Sequence, residues 1–282
     1  MKQLLAILLA LFCSMASLAT TLPSTLSLLP MPQKFHFSGK MTDGRKSVVE
    51  RYVDKVEGAR FQEEAYHLLI TSKSVLLEAT TPKGMYWGRQ TLEQLKTIKN
   101  KKTRLPQCEI TDWPAFRIRG FMHDVGRSFI PMEELKREIR LLSRFKINVF
   151  HWHLTENQAW RLESKRYPQL NAPENMEREK GKYYTLEEAR QLVDYCRRHQ
   201  MLLIPEIDMP GHSAAFERTF GCDMQSEKGS SILKDILDEV CATFDVPYIH
   251  IGTDEVQFTN PGFVPQMVRY IREKGKKVIS WN

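Results

Sequence analysis

Two adjacent carboxylates, Asp254 and Glu255, close the segment Gly252-Thr253-Asp254-Glu255, which follows the hydrophobic run Val246 to Ile251. Neighbours on an extended segment point in different directions, so one carboxylate can orient a substrate while the other trades a proton. Taken alone, the pair also reads as an acidic turn beyond a buried strand. Its company argues otherwise. Arg119, His123, Asp124 and Arg127 accompany an earlier hydrophobic run, His151, His153 and Glu156 end a second, Glu206, Asp208 and His212 end a third, and His250 leads into the fourth. Charges of merely solvated loops would be spread over both ends of such runs, and the amino ends here are comparatively plain.

For these residues to converge, the runs must be strands. Strand candidates are Arg119 to Val125, Ile147 to Leu154, Leu202 to Ile207, Tyr248 to Ile251 and Lys277 to Trp281. Between them lie helical patterns at Met132 to Phe145, Leu186 to His199, Ile232 to Phe244 and Val264 to Lys274. Pro131 stands near one helix start, and Thr185 with Glu188 forms a capping box at another. Alternating strands and helices indicate a parallel sheet, and polar residues at each strand's carboxyl end indicate a (β/α)8 TIM barrel with its site there.

Upstream, an extended start (Leu28 to Gly39), a charged stretch, and two strand patterns at Tyr66 to Ile70 and Val75 to Ala79 precede a helix. The turn Thr81-Pro82-Lys83-Gly84 opens that helix, and Trp87, Leu92 and Leu95 give it an apolar face. This is a small α/β domain. The lysine-rich segment Lys96 to Arg104 and the pair Trp113-Pro114 mark its expected end. The fold class is α/β, laid out as a leader over residues 1–19, the small domain over 20–112 and the barrel over 113–282.

Composition sets the class. With 282 residues, 42% of them hydrophobic, the chain can bury a substantial core. Met1 to Ala19 combines Lys2, the apolar run Leu4 to Phe12 and the small-residue ending Ser17-Leu18-Ala19, the pattern of a secretory signal peptide cleaved near Ala19. The run is too short for a membrane span; an uncleaved anchor is the alternative. The expected location is therefore exported, whether periplasmic, cell-surface or extracellular, with no membrane span in the mature chain. Beyond the leader the cysteines are Cys108, Cys196, Cys222 and Cys241, none at metal-ligand spacing. Cys196 and Cys241 fall on apolar helix faces, where cysteine acts as a small hydrophobe. The formal charge is +7, but lysines and arginines are scattered without a basic stripe interleaved with aromatics, so no nucleic-acid partner is expected.

The segments RGFMHDVGR (119–127), KINVFHWHLTENQAWRLE (146–163), YPQL (167–170), YYTLEEAR (183–190), IPEIDMPGHS (204–213) and YIHIGTDEV (248–256) together resemble the exo-acting β-N-acetylhexosaminidases of glycoside hydrolase family 20. The resemblance runs from about Leu28 to the chain end and implies that the small domain is that family's non-catalytic domain, shortened between about Lys40 and Glu64. It implies removal of terminal N-acetylglucosamine or N-acetylgalactosamine from glycans or chitooligosaccharides. The reaction would be retaining and substrate-assisted, with the 2-acetamido oxygen attacking the anomeric carbon. No cofactor or metal is implied. Residue by residue, Glu255 matches the general acid/base and Asp254 the carboxylate that steadies the oxazolinium intermediate. Arg119 matches the arginine that grips sugar hydroxyls, and Trp281 matches a wall of the acetamido pocket. Asp208 and His212 match a pair that tunes the acid/base. To donate its proton, Glu255 needs a raised pKa, from partial burial or from a neighbour such as Asp254. Bland readings stay open beside these: an ion pair for Arg119, a tight turn at Asp208 to Gly211, a core aromatic for Trp281.

Two positions depart from the family pattern. Glu156 and Asn157 stand where two aspartates are usual, so Glu156 would serve a relay to His212 with one methylene to accommodate. Thr253 stands where a second glycine is usual, which adds a side chain where the backbone passes close to the site. The ending departs more. Five strands cannot close a barrel of eight, which typically takes about 250 residues. The expectation is a C-terminally truncated barrel that is inactive alone and prone to aggregate through the open hydrophobic edge of its fifth strand. Rival classes are a non-catalytic glycan-binding protein that keeps the grip on the sugar, and a metal-dependent hydrolase using His151 and His153 with Asp208 or Asp254.

Overall fold

The computed structural model describes residues 28–281, so the leader expected over 1–19 lies outside the described residues. The chain divides into two compact units after Pro114. The first is a six-stranded sheet in the order β1-β6-β3-β4-β2, with β5 paired to β6. Its strands are β1 (Lys34–Asp43), β2 (Val48–Tyr52), β3 (Tyr66–Ile70), β4 (Val75–Ala79), β5 (Thr97–Lys99) and β6 (Lys102–Asp112), and helix α1 (Pro82–Leu95) lies between β4 and β5 in sequence. Strands β3 and β4 alternate buried and half-buried residues, and Leu68, Ile70, Val75 and Leu77 share a core with Met85, Trp87, Leu92 and Leu95 of α1. Thr81 caps α1 by accepting the Gly84 N–H at 3.1 Å, an interaction of about 1 kcal/mol.

Two sequence expectations are corrected here. The segment Lys96 to Arg104 is not a boundary: it forms the β5–β6 hairpin, and β6 pairs with both β1 and β3. Pro106, which argues against a central strand, is accommodated opposite Met41 beside a register shift in β1. The charged stretch contains β2, an edge strand exposed at every residue and therefore without a period-two apolar signal.

The second unit holds five parallel strands in the order β11-β10-β9-β8-β7. They are β7 (Gly120–Asp124), β8 (Val149–His153), β9 (Leu202–Glu206), β10 (Tyr248–His250) and β11 (Lys277–Ile279). Helices α2 (Met132–Arg144), α3 (Leu186–Arg198), α4 (Ala214–Phe220), α5 (Glu227–Thr243) and α6 (Phe263–Glu273) fall between them, giving part of a (β/α) barrel. Each predicted strand is present, one to three residues shorter than expected. The Thr185–Glu188 capping box forms with both its bonds. Helix α5 starts five residues before the expected Ile232, because Ser226 caps it through the Gly229 N–H. The core lies between sheet and helices: Phe150, Trp152, Leu203 and Ile249 pack with Leu135, Ile139, Leu192 and Ile236. All four described cysteines are free. Among the described residues no helix is long and apolar enough to cross a membrane.

Candidate active site

Parallel register gathers the site residues into one row. His153 on β8 stands opposite Glu206 on β9, Glu206 stands opposite His250 on β10, and Asp124 on β7 stands opposite His153. His151 lies two residues before His153 and so shares its face. Glu206, fully buried, is the hub. Its Oε2 lies 2.8 Å from His151 Nε2 and 2.8 Å from His153 Nδ1. His250 Nδ1 stands 3.0 Å from Oε1, but it receives the Gly252 N–H at 3.1 Å, so that approach is not a donated bond. Burial alone would push the Glu206 carboxyl up; the surrounding imidazoles outweigh it and hold the group well below the usual carboxylate range. Sequence reasoning placed Glu206 at a strand end without giving it a role. The signal was one carboxylate closing an otherwise apolar strand, in phase with the His-x-His of its neighbour.

Two residues beyond Glu206, Asp208 is also buried. Its amide donates to Thr155 Oγ1 at 2.9 Å, and its Oδ1 accepts the Thr253 N–H at 3.4 Å. Burial, followed by the charge of Glu206, pushes the Asp208 carboxyl up to about 8. A carboxyl that keeps its proton at neutral pH can donate to a neighbouring carboxylate. Asp208, His212 and Asp254 have polar atoms within 4.8 Å of one another. Asp254 Oδ1 is buried without a hydrogen-bond partner among the described residues.

His212 bridges to the outside. Its Nδ1 lies 2.6 Å from Glu156 Oε1, and its Nε2 lies 3.4 Å from Glu255 Oε2. Glu156 is buried and also paired with Arg127 at 2.5 Å, and the Asn157 amide donates to its other oxygen. The extra methylene of Glu156 is therefore accommodated. The Glu255 side chain is 76% exposed, so of the two expected surroundings, partial burial or the neighbouring Asp254, burial is not present. His212, Thr253 and Glu255 all have positive φ, so the two turns that carry the site are locally strained. Trp281 is held to the same turn by its N–H, which donates to Gly252 O at 2.8 Å; its ring stands 4.6 Å from His250 and 5.6 Å from His151.

Arg119 is placed elsewhere. It precedes β7, its Nε donates to Lys146 O at 2.6 Å and its Nη1 to Phe116 O at 2.6 Å, all at the amino ends of β7 and β8. Asp124, at the carboxyl end of β7, lies five residues or about 16 Å further along the strand. Among the described residues, groups able to close on a metal ion are His151, Glu206 and His250; His153, Glu206 and Asp208; and Asp208, His212 and Asp254, each with donor atoms within 4.8 Å. In the first two, Glu206 Oε2 already lies 2.8 Å from both His151 Nε2 and His153 Nδ1.

Carboxylates and imidazoles gathered at the carboxyl ends of parallel strands define a catalytic (β/α)-barrel unit. Two family models match this chain: Glycosyl hydrolase family 20, domain 2, over residues 40–113, and Glycosyl hydrolase family 20, catalytic domain, over residues 116–221. The chain belongs to glycosyl hydrolase family 20. It is 32% identical over 277 residues to a beta-hexosaminidase of Porphyromonas gingivalis, covering 78% of this chain and 36% of that one. Identity to a beta-hexosaminidase of Vibrio furnissii is 36% over 230 residues, covering 69% and 38%. A solved beta-N-acetylhexosaminidase from Bacteroides fragilis matches with a TM-score of 0.78 at 26% identity, over 91% of this chain and 66% of that one. A GH20 exo beta-N-acetylglucosaminidase from Vibrio harveyi, in complex with N-acetylglucosamine, matches with a TM-score of 0.80 at 25% identity, over 93% and 56%. The chain thus spans little more than a third of those two curated relatives. The catalytic-domain match stops at residue 221, before Asp254 and Glu255.

Proposed function

We propose that this chain carries part of the catalytic site of a β-N-acetylhexosaminidase, which removes terminal N-acetylglucosamine or N-acetylgalactosamine with retention. In this reading Asp254 accepts the acetamido N–H while the acetamido oxygen attacks the anomeric carbon. The glycosidic C–O bond breaks as Glu255 passes its proton to the leaving oxygen. Water then opens the oxazolinium ring and returns a proton to Glu255. Asp208, protonated, orients Asp254, and the Glu156–His212 pair aligns Glu255. The observation that carries the reading is the joint placement of two carboxyls: Asp254 with a buried, unpartnered oxygen, and Glu255 exposed at the end of the Glu156–His212 chain. The beta-hexosaminidase names of the relatives and the N-acetylglucosamine in the Vibrio harveyi complex support the substrate class.

The test is release of nitrophenol from nitrophenyl N-acetylglucosaminide, with nitrophenyl glucoside as the control that lacks the N-acyl arm, by a version of this polypeptide carrying a complete eight-stranded barrel and by its Glu255→Gln form. Equal rates on both glycosides, or no loss in Glu255→Gln, would sink the proposal. A second reading is glycan binding without turnover, favoured by the exposed aromatic ring of Trp281 standing 4.6 Å from His250 beside the carboxylates. Calorimetric binding of N-acetylglucosamine with no nitrophenol release would select it. Export remains part of the proposal, supported by the leader-like sequence of residues 1–19, and sequencing the mature amino terminus from the native host tests it.

A further inference from the structure

Thr253 has a φ of +87°, where a β-branched residue is an outlier. Such a conformation persists only where its surroundings over-determine it. Two contacts do so. The parallel ladder between β10 and β11 continues past the strand ends: Ile251 N–H donates to Ile279 O at 3.0 Å, and Trp281 N–H donates to Gly252 O at 2.8 Å. The next donor on the β10 side is the amide of residue 253, but that amide turns to Asp208 Oδ1 at 3.4 Å. The Thr253 hydroxyl takes the rung instead and donates to Trp281 O at 3.1 Å. A residue with an amide alone can serve Asp208 or Trp281. Threonine serves both, and Asp254 and Glu255 follow directly in the chain.

We propose that Thr253 is a positioning residue that ties the Trp281 end of β11 and the Asp208 turn to the Asp254–Glu255 loop. The tie holds the Trp281 ring beside His250 and His151 as one wall of the site. Its bearing on sugar binding rests on the function proposed above; the tie itself does not.

The test uses Thr253→Gly, Thr253→Val and Thr253→Ser in the 282-residue chain. Trp281 emission is isolated by subtracting the spectrum of the matching chain that also carries Trp281→Phe, and acrylamide quenching reads its accessibility. Gly and Val both delete the hydroxyl and are expected to raise the Trp281 quenching constant about twofold, whereas Ser keeps the parental value. Gly also relieves the positive-φ strain, so its urea midpoint is expected to hold or rise while Trp281 loosens, a combination that a purely structural residue would not give. Parental quenching in the Gly chain overturns the proposal, and the Gly–Ser contrast decides it even where Val does not fold. Calorimetry with N-acetylglucosamine forms the second arm: about threefold weaker binding in the Gly chain, recovered in Ser, supports the wall assigned to Trp281. Equal binding in all chains despite altered quenching overturns that wall. If no chain binds the sugar while the quenching difference stands, the proposed function fails and the tie is supported.

Discussion

Asp208 Oδ1 occupies the space that a side chain on residue 252 would need: a Cβ built on Gly252 would lie 1.7 Å from it. Gly252 also has a φ of +65°, so both close approach and backbone conformation demand glycine here. The acidic turn can follow β10 only because this residue lets the buried Asp208 carboxyl pass. Gly252→Ala is expected to destabilise the second unit by at least about 3 kcal/mol, measured by urea denaturation. A loss below about 1 kcal/mol would show that the Asp208 turn moves aside freely.

Asp208 itself gives stability a pH dependence of known sign. Its carboxyl is raised from 3.8 to about 8 in the folded chain, so the folded state binds the extra proton across that interval. The stability this proton confers is complete below the unfolded value and is lost as pH rises through about 8. Asp208→Asn keeps the neutral shape without the titration. Urea unfolding at steps from pH 4 to pH 9 should therefore show a steeper fall with pH in the parent than in the variant. Parallel curves would mean that Asp208 is ionised throughout.

Much of this site was legible because parallel strands keep register. His151 and His153 two apart on one strand, with Glu206 and His250 closing the next two, already fix which residues share a face, and Asp254 and Glu255 needed only the turn after β10 to join them. What could not be read was direction beyond the strands. Arg119 precedes β7, and its guanidinium settles on the carbonyls of Phe116 and Lys146, a choice that no periodicity reports. Thr253 and Glu255 both have positive φ, and neither residue type announces one. In the first unit, β2 was hidden because an edge strand exposed on both faces has no apolar alternation.

Glu156 Oε1 holds two partners at once, His212 at 2.6 Å and Arg127 at 2.5 Å, from a buried position. Removing a buried charge while its partners remain typically costs 3–5 kcal/mol. Arg127 is half exposed and can turn to water or to Asp124, so Glu156→Ala should fall near about 3 kcal/mol, the low end of that range. Glu156→Asp shortens the arm by one methylene and is expected to lose one contact, at about 1 kcal/mol. Thermal or urea denaturation of both variants checks the order, and an aspartate costing as much as alanine would contradict it.

Arg161 fixes the long connection between β8 and α3 from inside. Its side chain is fully buried, with Nη1 donating to Lys182 O at 2.8 Å and Glu179 O at 3.2 Å, Nη2 to Arg178 O at 3.0 Å, and Nε to Val125 O at 3.2 Å. Lysine offers three donors from one point and cannot span that fork. Arg161→Lys should leave buried carbonyls unpaired, costing about 2 kcal/mol and opening residues 176–182 to proteolysis. Limited trypsinolysis with identification of the first cut site gives the readout; first cleavage elsewhere would remove this role.

The β7 margin of the second unit predicts how the 282-residue chain behaves in solution. Among the described residues strand β7 pairs only with β8, and its residues are exposed or half-buried throughout. Beside it Phe116 and Ile118 are 74% and 76% exposed, and Phe121, Leu141 and Phe145 are exposed as well. An unpaired strand edge bordered by apolar side chains is a template for association with another chain. Placing a charge on such a margin blocks that pairing at little cost to the fold, because the side chains bury little area. Phe116→Lys with Ile118→Lys is therefore expected to lower the light scattered at a given concentration, with the unfolding free energy from urea titration changed by no more than about 0.5 kcal/mol. Scattering equal to that of the parent chain would move the source of association away from this edge.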